Sequence, residues 1–221
     1  MHPLVEFVRS SLQALADPAK AAPMAAYMKT DMPFYGVPAG PRRQIGRGLR
    51  SRFPPGSNQE YREQVALLWS LDHREEKYLA VGVAADHAAF IRFENLDLYE
   101  KLIREGAWWD FVDEIAAHLV GAVLAAERRL TTGVLEKWID DEDMWIRRTA
   151  ILSQLGRKEA TDRDMLFRFA VRRAHEKEFF IRKAIGWALR DYARTDPDAV
   201  RRFLAANELS GLSKREAAKH L

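Results

Sequence analysis

The chain has 221 residues, of which 48% are hydrophobic and 30% are charged, with a formal net charge of +3. This composition is typical of a soluble globular protein with one sizeable domain, which we place at residues 1–221. The absence of cysteine excludes disulfides and thiolate metal sites, so a reducing cytoplasm is the expected location.

Apolar residues recur at helical spacing through most of the chain, beginning with Leu4–Ala16. Glu6 and Arg9 interrupt the apolar pattern there, so this segment is expected to be an amphipathic helix and not a signal peptide. Asp17 and Pro18 are expected to cap and open a second helix. Further helices are predicted at about residues 41–52, 57–70, 74–93, 95–104, 108–127, 131–139, 143–155, 161–175, 178–194, 196–206 and 213–220. No segment alternates with period two, and no apolar run approaches a membrane span, so neither a strand nor a transmembrane helix is predicted.

The positive charge is distributed unevenly along these helices. Residues 146–221 hold 18 Lys and Arg against 10 Asp and Glu, whereas the first 145 residues hold 17 against 22. The segment between Asp31 and Glu60 has no acid, and it contains five arginines. These are Arg42, Arg43, Arg47, Arg50 and Arg52. Two basic zones in a nearly neutral protein indicate either a surface for a polyanion or a set of solvated helix faces.

A repeat of about 35 residues organises the second half. The segment MWIRRTA at Met144–Ala150 aligns with FFIRKAI at Phe179–Ile185, and the same step back from Trp145 reaches Asp110 in the stretch EGAWWDFVDEIA. Two helices per repeat of this length predict an all-α fold, an α-solenoid in which the second helix of each pair lines the concave surface. Asp110, Arg147 and Arg182 are expected to form a ladder of ion pairs between neighbouring repeats, although Arg147 also remains a candidate for binding DNA.

The second helices carry an unusual set of side chains. Trp109 and Asp113 are four residues apart and therefore share one helix face, while Trp108 and Phe111 point toward the apolar side. The alternative is that the tryptophan lies in the core and the aspartate complements the helix dipole. Trp145 is likewise either a cleft residue or a core residue.

The later repeats add cations and a further indole. Arg148 comes from the second of these helices, and Lys183, Trp187 and Arg190 share a face of the third. Cations suit phosphates, and indole faces suit a flat or cationic group. A carboxylate in a basic groove would repel DNA unless it stabilises positive charge at a reacting sugar or base. Trp69 and Trp138 are assigned to the core.

Four segments carry a resemblance to a known family. They are GAWWDFVDEIA, MWIRRTAILSQL, EFFIRKAIGWALRDYA and the terminal LSKREA, and the N-terminal YMKTDMPFYGVPAGPRRQI adds a fifth. Together they resemble the AlkD-type DNA alkylation repair family of HEAT-like-repeat DNA glycosylases, over about residues 27–217. The resemblance implies a C-shaped solenoid of HEAT-like antiparallel helical repeats that excises positively charged N3- and N7-alkylated purines from duplex DNA and leaves an abasic site.

The resemblance also assigns roles to residues. Asp113 matches the catalytic carboxylate, Trp109 and Trp187 the aromatic walls of the cleft, Arg148 its basic residue, and Tyr27 an aromatic from the N-terminal helices. Arg148 is also expected to contact a phosphate. The other candidates for phosphate contact are Arg42, Arg43, Arg47, Arg147, Lys183 and Arg190.

The implied chemistry agrees with the residue types. An alkylated purine already carries a positive charge and leaves without a general acid, so one carboxylate can stabilise the oxocarbenium character of the deoxyribose and orient water. A lyase reaction is not expected, because the best candidate amine, that of Lys183, sits among phosphate-type cations. Neither a metal nor a cofactor is expected, since the histidines lack ligand spacing and the glycines form no phosphate loop. The expected partner is double-stranded DNA bound by a monomer. A non-catalytic DNA-structure binder and a protein-interaction scaffold remain as alternatives.

Overall fold

The computed structural model describes residues 2–221, and these residues form helices joined by short turns, without any strand. They separate into two units, one ending at Ile91 and one beginning at Arg92, whereas the sequence predicts a single domain. The first unit contains α1 (Pro3–Ala14), α2 (Pro18–Met28), α3 (Ala39–Arg52), α4 (Asn58–Trp69) and α5 (Arg74–Asp86). None of the helices in residues 2–221 has the length and apolar character that a membrane crossing requires.

The second unit contains the repeats. Its helices are α6 (Leu96–Gly106), α7 (Trp109–Glu114), α8 (Gly121–Ala126), α9 (Arg128–Trp138), α10 (Met144–Leu152), α11 (Arg163–Arg172), α12 (Phe179–Ala193), α13 (Pro197–Ala206) and α14 (Gly211–Ala217). A π-helical segment, Ile115–Val120, joins α7 to α8 and makes them one continuous helix. Short 3₁₀ turns occupy Ala88–Phe90, Phe93–Asn95, Lys158–Ala160 and Ala218–His220.

The helix ends follow from local capping. The Asp17 carboxylate accepts the main-chain N–H of Ala19 at 3.1 Å, and Pro18 takes the first helical position, which confirms the predicted start of α2. The predicted helix 74–93 is too long, because α5 ends at Asp86. In its last turn the carbonyl of Ala84 accepts the hydroxyl of Tyr61, and a 3₁₀ turn follows.

The 35-residue repeat is visible in the helix starts. The helices α7, α10 and α12 begin at Trp109, Met144 and Phe179, which are 35 residues apart in each step. Polar side chains join neighbouring repeats at nearly the same separation: Arg104 pairs with Asp141, Arg128 with Asp162 and Arg168 with Glu136, at separations of 37, 34 and 32 residues. The predicted all-α fold of helical repeats is therefore confirmed.

The core of the second unit consists of the inward faces of these helices. Phe111, Ile115, Ile146 and Ile181 are fully buried there, and Trp138 is a core residue as predicted. Trp69 is likewise buried, in the first unit. Burial of this apolar surface stabilises helices that would be marginal in isolation.

One glycine allows two of these helices to approach closely. A Cβ at Gly121 would lie 2.5 Å from the carbonyl oxygen of Ser153, closer than real Cβ atoms come to such an atom. The residue stands directly after the π-helical segment, whose wider turn changes the register of the side chains that follow. The π segment and the glycine together place α8 against the end of α10.

In the first unit a buried carboxylate holds the FYGV segment. The Glu75 side chain accepts the main-chain N–H groups of Tyr35, Gly36 and Val37 at 3.1, 2.9 and 3.0 Å, and Glu75 is fully buried. Gly36 has a φ of +83°, and a Cβ there would lie 2.1 Å from the carbonyl oxygen of Asp17. Both features fix the loop between α2 and α3 and explain why this segment contains a glycine.

We expect Glu75→Gln to lower the free energy of unfolding by about 3 kcal/mol, because the amide NH₂ group would face main-chain N–H donors that now bind a charged acceptor. Urea unfolding followed by circular dichroism measures the change. Glu60→Gln is the matched control, since Glu60 also accepts a main-chain N–H, from Gly56, but is exposed. It should shift stability by less than about 0.5 kcal/mol. Equal effects of the two substitutions would contradict this account of the loop.

Candidate functional site

The turn between α6 and α7 sets the position of the predicted aromatic and acid. Ala107 ends α6 in the left-handed region, with a φ of 38°, and Trp108 is extended at the cap of the next helix. The first residue of α7 is then Trp109, and Asp113 follows one turn later on the same α-helical segment. Both side chains are partly buried and partly open to solvent, as a binding residue requires.

Asp113 is held by a two-pronged ion pair. The Nε and Nη2 atoms of Arg148 donate to the two carboxylate oxygens at 2.7 and 2.8 Å. The remaining Nη1 of Arg148 donates to the main-chain carbonyl of Phe180, so that one guanidinium joins α7, α10 and the start of α12. The Arg148 side chain is only 5% exposed, whereas that of Asp113 is 15% exposed.

The donors of Arg148 are all occupied within the protein. A phosphate contact needs an accessible guanidinium, and here all three donor-bearing nitrogens are bonded within the protein. Arg148 lies beside Asp113, and its guanidinium binds the carboxylate. A phosphate contact from Arg148 would require one of these bonds to break, and it stays a prediction.

Burial raises the pKa of the Asp113 carboxyl above its ordinary value. The hydrogen bonds and the positive charge of Arg148 oppose this rise, and the nearby negative charge of Asp110 adds to it. Arg148 therefore has an electrostatic function as well as a geometric one. It favours the ionised form of the Asp113 carboxyl, whereas burial favours the protonated form.

Three aromatic rings pack beside the ion pair. The ring centres of Trp108 and Trp145 are 5.8 Å apart, and those of Trp145 and Phe180 are 4.9 Å apart. The guanidinium carbon of Arg148 lies 5.7 Å from the Phe180 ring centre. Trp145 is only 7% exposed, so of the two roles left open for it the structure shows the core role.

The third repeat helix, α12, presents the second indole between two cations. Trp187 is partly exposed, and Lys183 and Arg190 stand one turn before and one turn after it. Both cations are paired with Glu216 of α14, each at 3.1 Å. The sequence indicates both cations but not their acidic partner, because only the packing of α14 on α12 brings Glu216 to them.

Arg147 occupies a structural position. Its Nε is 3.0 Å from Oε1 of Glu176, its Nη1 donates to two main-chain carbonyls, and its side chain is 12% exposed. The structure shows a role for Arg147 in ion pairing within the protein, and its contact with DNA stays a prediction. In the predicted ladder through Asp110, Arg147 and Arg182, the acid that pairs with Arg147 is Glu176.

The first unit carries the other predicted residues, on two of its helices. Tyr27, at the end of α2, is 72% exposed. On α3 the guanidinium of Arg42 lies over the Tyr78 ring, 4.1 Å from its centre. Arg43 and Arg47 stand four residues apart on the same helix, both exposed, and neither has an ion-pair partner among residues 2–221. The phosphate contacts predicted for all three arginines stay predictions.

Within residues 2–221 the acidic and histidine side chains form no cluster of three or more that could hold a metal ion. The polar groups that the site does offer are one oriented carboxylate, two half-buried indoles and surface cations. Such a set can stabilise a positive charge, contact a flat ring and bind phosphate, and each of these is an interaction of known physical origin.

Comparisons with known proteins by sequence and by structure indicate the same family. The sequence profile described as DNA alkylation repair enzyme matches residues 8–221. A solved structure called a predicted DNA alkylation repair enzyme from Enterococcus faecalis is 30% identical, with a TM-score of 0.87, and the match covers 93% of this chain and 96% of that one. No curated protein matches the chain significantly.

Two more distant structures share the fold. AlkD2 from Streptococcus mutans is 15% identical, with a TM-score of 0.67 over 90% of this chain and 98% of its own. The smu.31 protein from Streptococcus mutans UA159 is 16% identical, with a TM-score of 0.62 over 81% of this chain and 92% of its own. At these identities the likeness concerns the fold alone.

The ion pair of Asp113 and Arg148 should show strong energetic coupling. We expect Asp113→Asn and Arg148→Met each to lower the free energy of unfolding by about 3 kcal/mol, because each leaves a partly buried charge unpaired. The double variant should be more stable than the sum of the two losses predicts, by about 2 kcal/mol. Urea unfolding of the four proteins measures this coupling.

The pair Arg201 and Asp198 is the matched control, since these residues also form an ion pair, at 2.6 Å, but both are exposed. Arg201→Met and Asp198→Asn should couple by less than about 1 kcal/mol. If the two pairs coupled equally, the Asp113–Arg148 pair could not be a main determinant of how α7 and α10 pack.

Proposed function

The chain belongs to the family of DNA alkylation repair enzymes, and on this basis we propose that it is a monofunctional DNA glycosylase. It hydrolyses the N-glycosidic bond of N3- or N7-alkylated purines in duplex DNA and leaves an abasic site. The observation that carries the proposal is the first turn of α7, where a partly exposed carboxylate, Asp113, lies one turn from the indole of Trp109 and is held by Arg148.

The reaction needs little from the protein. The alkylated base carries a positive charge and leaves as a neutral purine, so its departure requires no general acid. As the bond to the base stretches, positive charge develops on the deoxyribose, and a fixed carboxylate stabilises that charge. The carboxylate also orients a water molecule for attack on the sugar, whereas glycosidases that act on neutral leaving groups use two carboxyl groups.

Asp113 keeps acceptor capacity for this role. An ionised carboxylate has about four lone-pair positions, and Arg148 occupies two of them. The others are available to water and to the sugar through the part of the side chain that is exposed. The ion pair also keeps the carboxylate in one orientation, which reduces the reorganisation that the transition state requires.

The other residues serve recognition. The indoles of Trp109 and Trp187 favour a cationic base over its neutral parent, by roughly 0.5–2 kcal/mol for each contact. Arg43 and Arg47 of α3 bind phosphate, because they are exposed and have no ion-pair partner in residues 2–221. Tyr27, with its ring mostly in solvent, contributes a further aromatic contact.

A second candidate is a DNA-binding protein without catalytic activity. The closed ion pair of Asp113 favours it, because a carboxylate bonded to an arginine through both oxygens is also common in purely structural sites. Such a protein would bind duplex DNA with a steep salt dependence but would release no base from alkylated DNA. A protein-interaction scaffold would lack the salt-dependent DNA binding as well.

We expect Asp113→Asn to reduce release of 7-methylguanine and 3-methyladenine from alkylated duplex DNA by at least about 100-fold, since the charge that stabilises the transition state is removed. The affinity for DNA should remain nearly unchanged. Chromatography of the released bases, without heating, measures the first quantity, and fluorescence anisotropy of a labelled duplex measures the second.

Glu114→Gln is the control, because Glu114 is the exposed acid next in sequence on α7 and carries the same charge. It should leave base release intact. Unchanged release by the Asp113→Asn protein would remove Asp113 from the mechanism, and no release by the unsubstituted protein would favour the non-catalytic alternative.

The pH dependence of base release should report the ionisation of Asp113. Release falls as the pH decreases through the pKa of this carboxyl, because the protonated form carries no charge. Arg148→Gln removes the group that opposes the raised pKa, so the acid limb of the profile should move to higher pH. Asp110→Asn removes a neighbouring negative charge that raises the pKa, so the limb should move to lower pH. Profiles of 7-methylguanine release, corrected for the reaction without protein, test both directions; two unmoved profiles would assign the titration to another group.

A further inference from the structure

One carboxylate of the last helix collects three cations. The Glu216 side chain lies 3.1 Å from the Lys183 ammonium, 3.1 Å from an Arg190 guanidinium nitrogen and 2.8 Å from the Lys219 ammonium. Glu216 belongs to α14, whereas Lys183 and Arg190 belong to α12 and stand on either side of Trp187. The carboxylate therefore neutralises part of the positive charge around the second indole of the candidate site.

Packing of α14 on α12 fixes the position of this carboxylate. A Cβ at Gly186 would lie 2.5 Å from the Cβ of Glu216 and 2.9 Å from the carbonyl oxygen of Ser213, so only glycine permits the observed approach. The Ser213 hydroxyl donates to the carbonyl of Arg182 at 2.9 Å and joins the two helices a second time. The packing of the two helices thus fixes the position of Glu216 beside the cations.

Lys183 and Arg190 project from α12 between the face that packs on α14 and the face that carries Trp187. With about 100° between successive residues of a helix, Gly186 faces α14 at about 60° from Lys183, while Trp187 is turned about 40° to the other side. Arg190 projects within about 20° of Lys183. Their side chains remain 35% and 24% exposed, so each can exchange its partner without unfolding a helix.

The carboxylate is charged under all physiological conditions. Hydrogen bonds and charge from Lys219 and Lys183 hold the pKa of Glu216 at about 2, against the effect of its burial. A phosphate that approaches α12 therefore meets two cations that already have an anionic partner. It must displace that partner, at least in part, to bind them.

We propose that Glu216 is an intramolecular competitor of DNA phosphate. It pairs with Lys183 and Arg190 and thereby limits the affinity of α12 for undamaged duplex DNA. The inference rests on the proposed function, since it requires DNA to bind at this face. Binding without the competitor would be dominated by phosphate contacts, which carry no information about the base. With the competitor present, contacts of the indoles with a lesion make up a larger share of the binding energy, so Glu216 favours discrimination between damaged and undamaged DNA.

The test is the salt dependence of binding to a short unmodified duplex. For Glu216→Gln we expect an affinity about threefold to tenfold higher at physiological salt, and a steeper plot of log affinity against log salt concentration, by about 0.9 for each additional phosphate that the protein neutralises. Lys183→Gln combined with Arg190→Gln should flatten the plot by less than about one unit in the unsubstituted chain, but by about two units in the Glu216→Gln background. A merely structural role for Glu216 would not make the effect of the two cations depend on its charge.

Glu176→Gln is the matched control. Glu176 is a carboxylate of similar burial that binds two cations, Arg147 and Arg173, and these are less exposed than Lys183 and Arg190. Its substitution should leave the salt dependence unchanged, whereas Arg43→Ala should flatten it. Melting temperatures of all variants identify any that fail to fold.

If Glu216→Gln does not fold, the variant with both Lys183→Gln and Arg190→Gln tests the proposal by itself. A decrease of two full units in its slope of log affinity against log salt concentration would mean that Glu216 does not compete with phosphate for these cations. Unchanged or weaker binding by a folded Glu216→Gln protein would overturn the proposal. If the unsubstituted protein binds duplex DNA normally, such a result leaves the proposed function standing. Absence of salt-dependent binding by the unsubstituted protein would overturn both.

Discussion

The candidate site depends on burying a carboxylate and a guanidinium together. Neither Asp113 nor Arg148 could be buried alone without a large desolvation cost, but as a two-pronged pair they satisfy each other. The same guanidinium reaches the carbonyl of Phe180, so three successive repeats converge on one side chain. One side chain therefore both links α7, α10 and α12, whose apolar faces pack in the core, and orients the proposed catalytic acid. This also means that a change at Arg148 acts on stability, on geometry and on the pKa of Asp113 at once.

In the second unit, the cations predicted to bind DNA form ion pairs within the protein. Of the cations predicted to face DNA in the second unit, Arg147 and Arg148 are engaged by acids of the same unit, and Lys183 and Arg190 are shared with Glu216. Among the arginines predicted to contact DNA, Arg43 and Arg47 of α3 are exposed and have no ion-pair partner in residues 2–221. Basic composition overstates the charge available to a polyanion, because repeat proteins also use acid–base pairs to join neighbouring repeats. Which cations can bind phosphate therefore depends on which of them have an acidic partner within the protein.

Backbone constraints at a few glycines determine how closely the helices pack. Gly121 admits the carbonyl of Ser153, and Gly186 admits the main chain of α14. The second of these contacts brings Glu216 to the cations of α12. In the first unit, Gly36 has a positive φ and allows the FYGV segment to present successive N–H groups to Glu75. The motifs that resemble the family thus include residues whose function is to shape the main chain.

The sequence by itself determined the helices, their 35-residue period and the sharing of a face by Trp109 and Asp113, since these depend on local periodicity and on capping by residues such as Asp17. It also led to the family, through the ordered aromatic and acidic motifs. It could not determine the partner of a charged side chain. Whether Arg148 bonds to phosphate or to Asp113, and whether Arg190 is available or held by Glu216, depends on contacts between residues 26 to 35 positions apart. Only the tertiary structure decided these pairs, because the energy of a charge depends on its burial and on the groups that packing brings within hydrogen-bond distance.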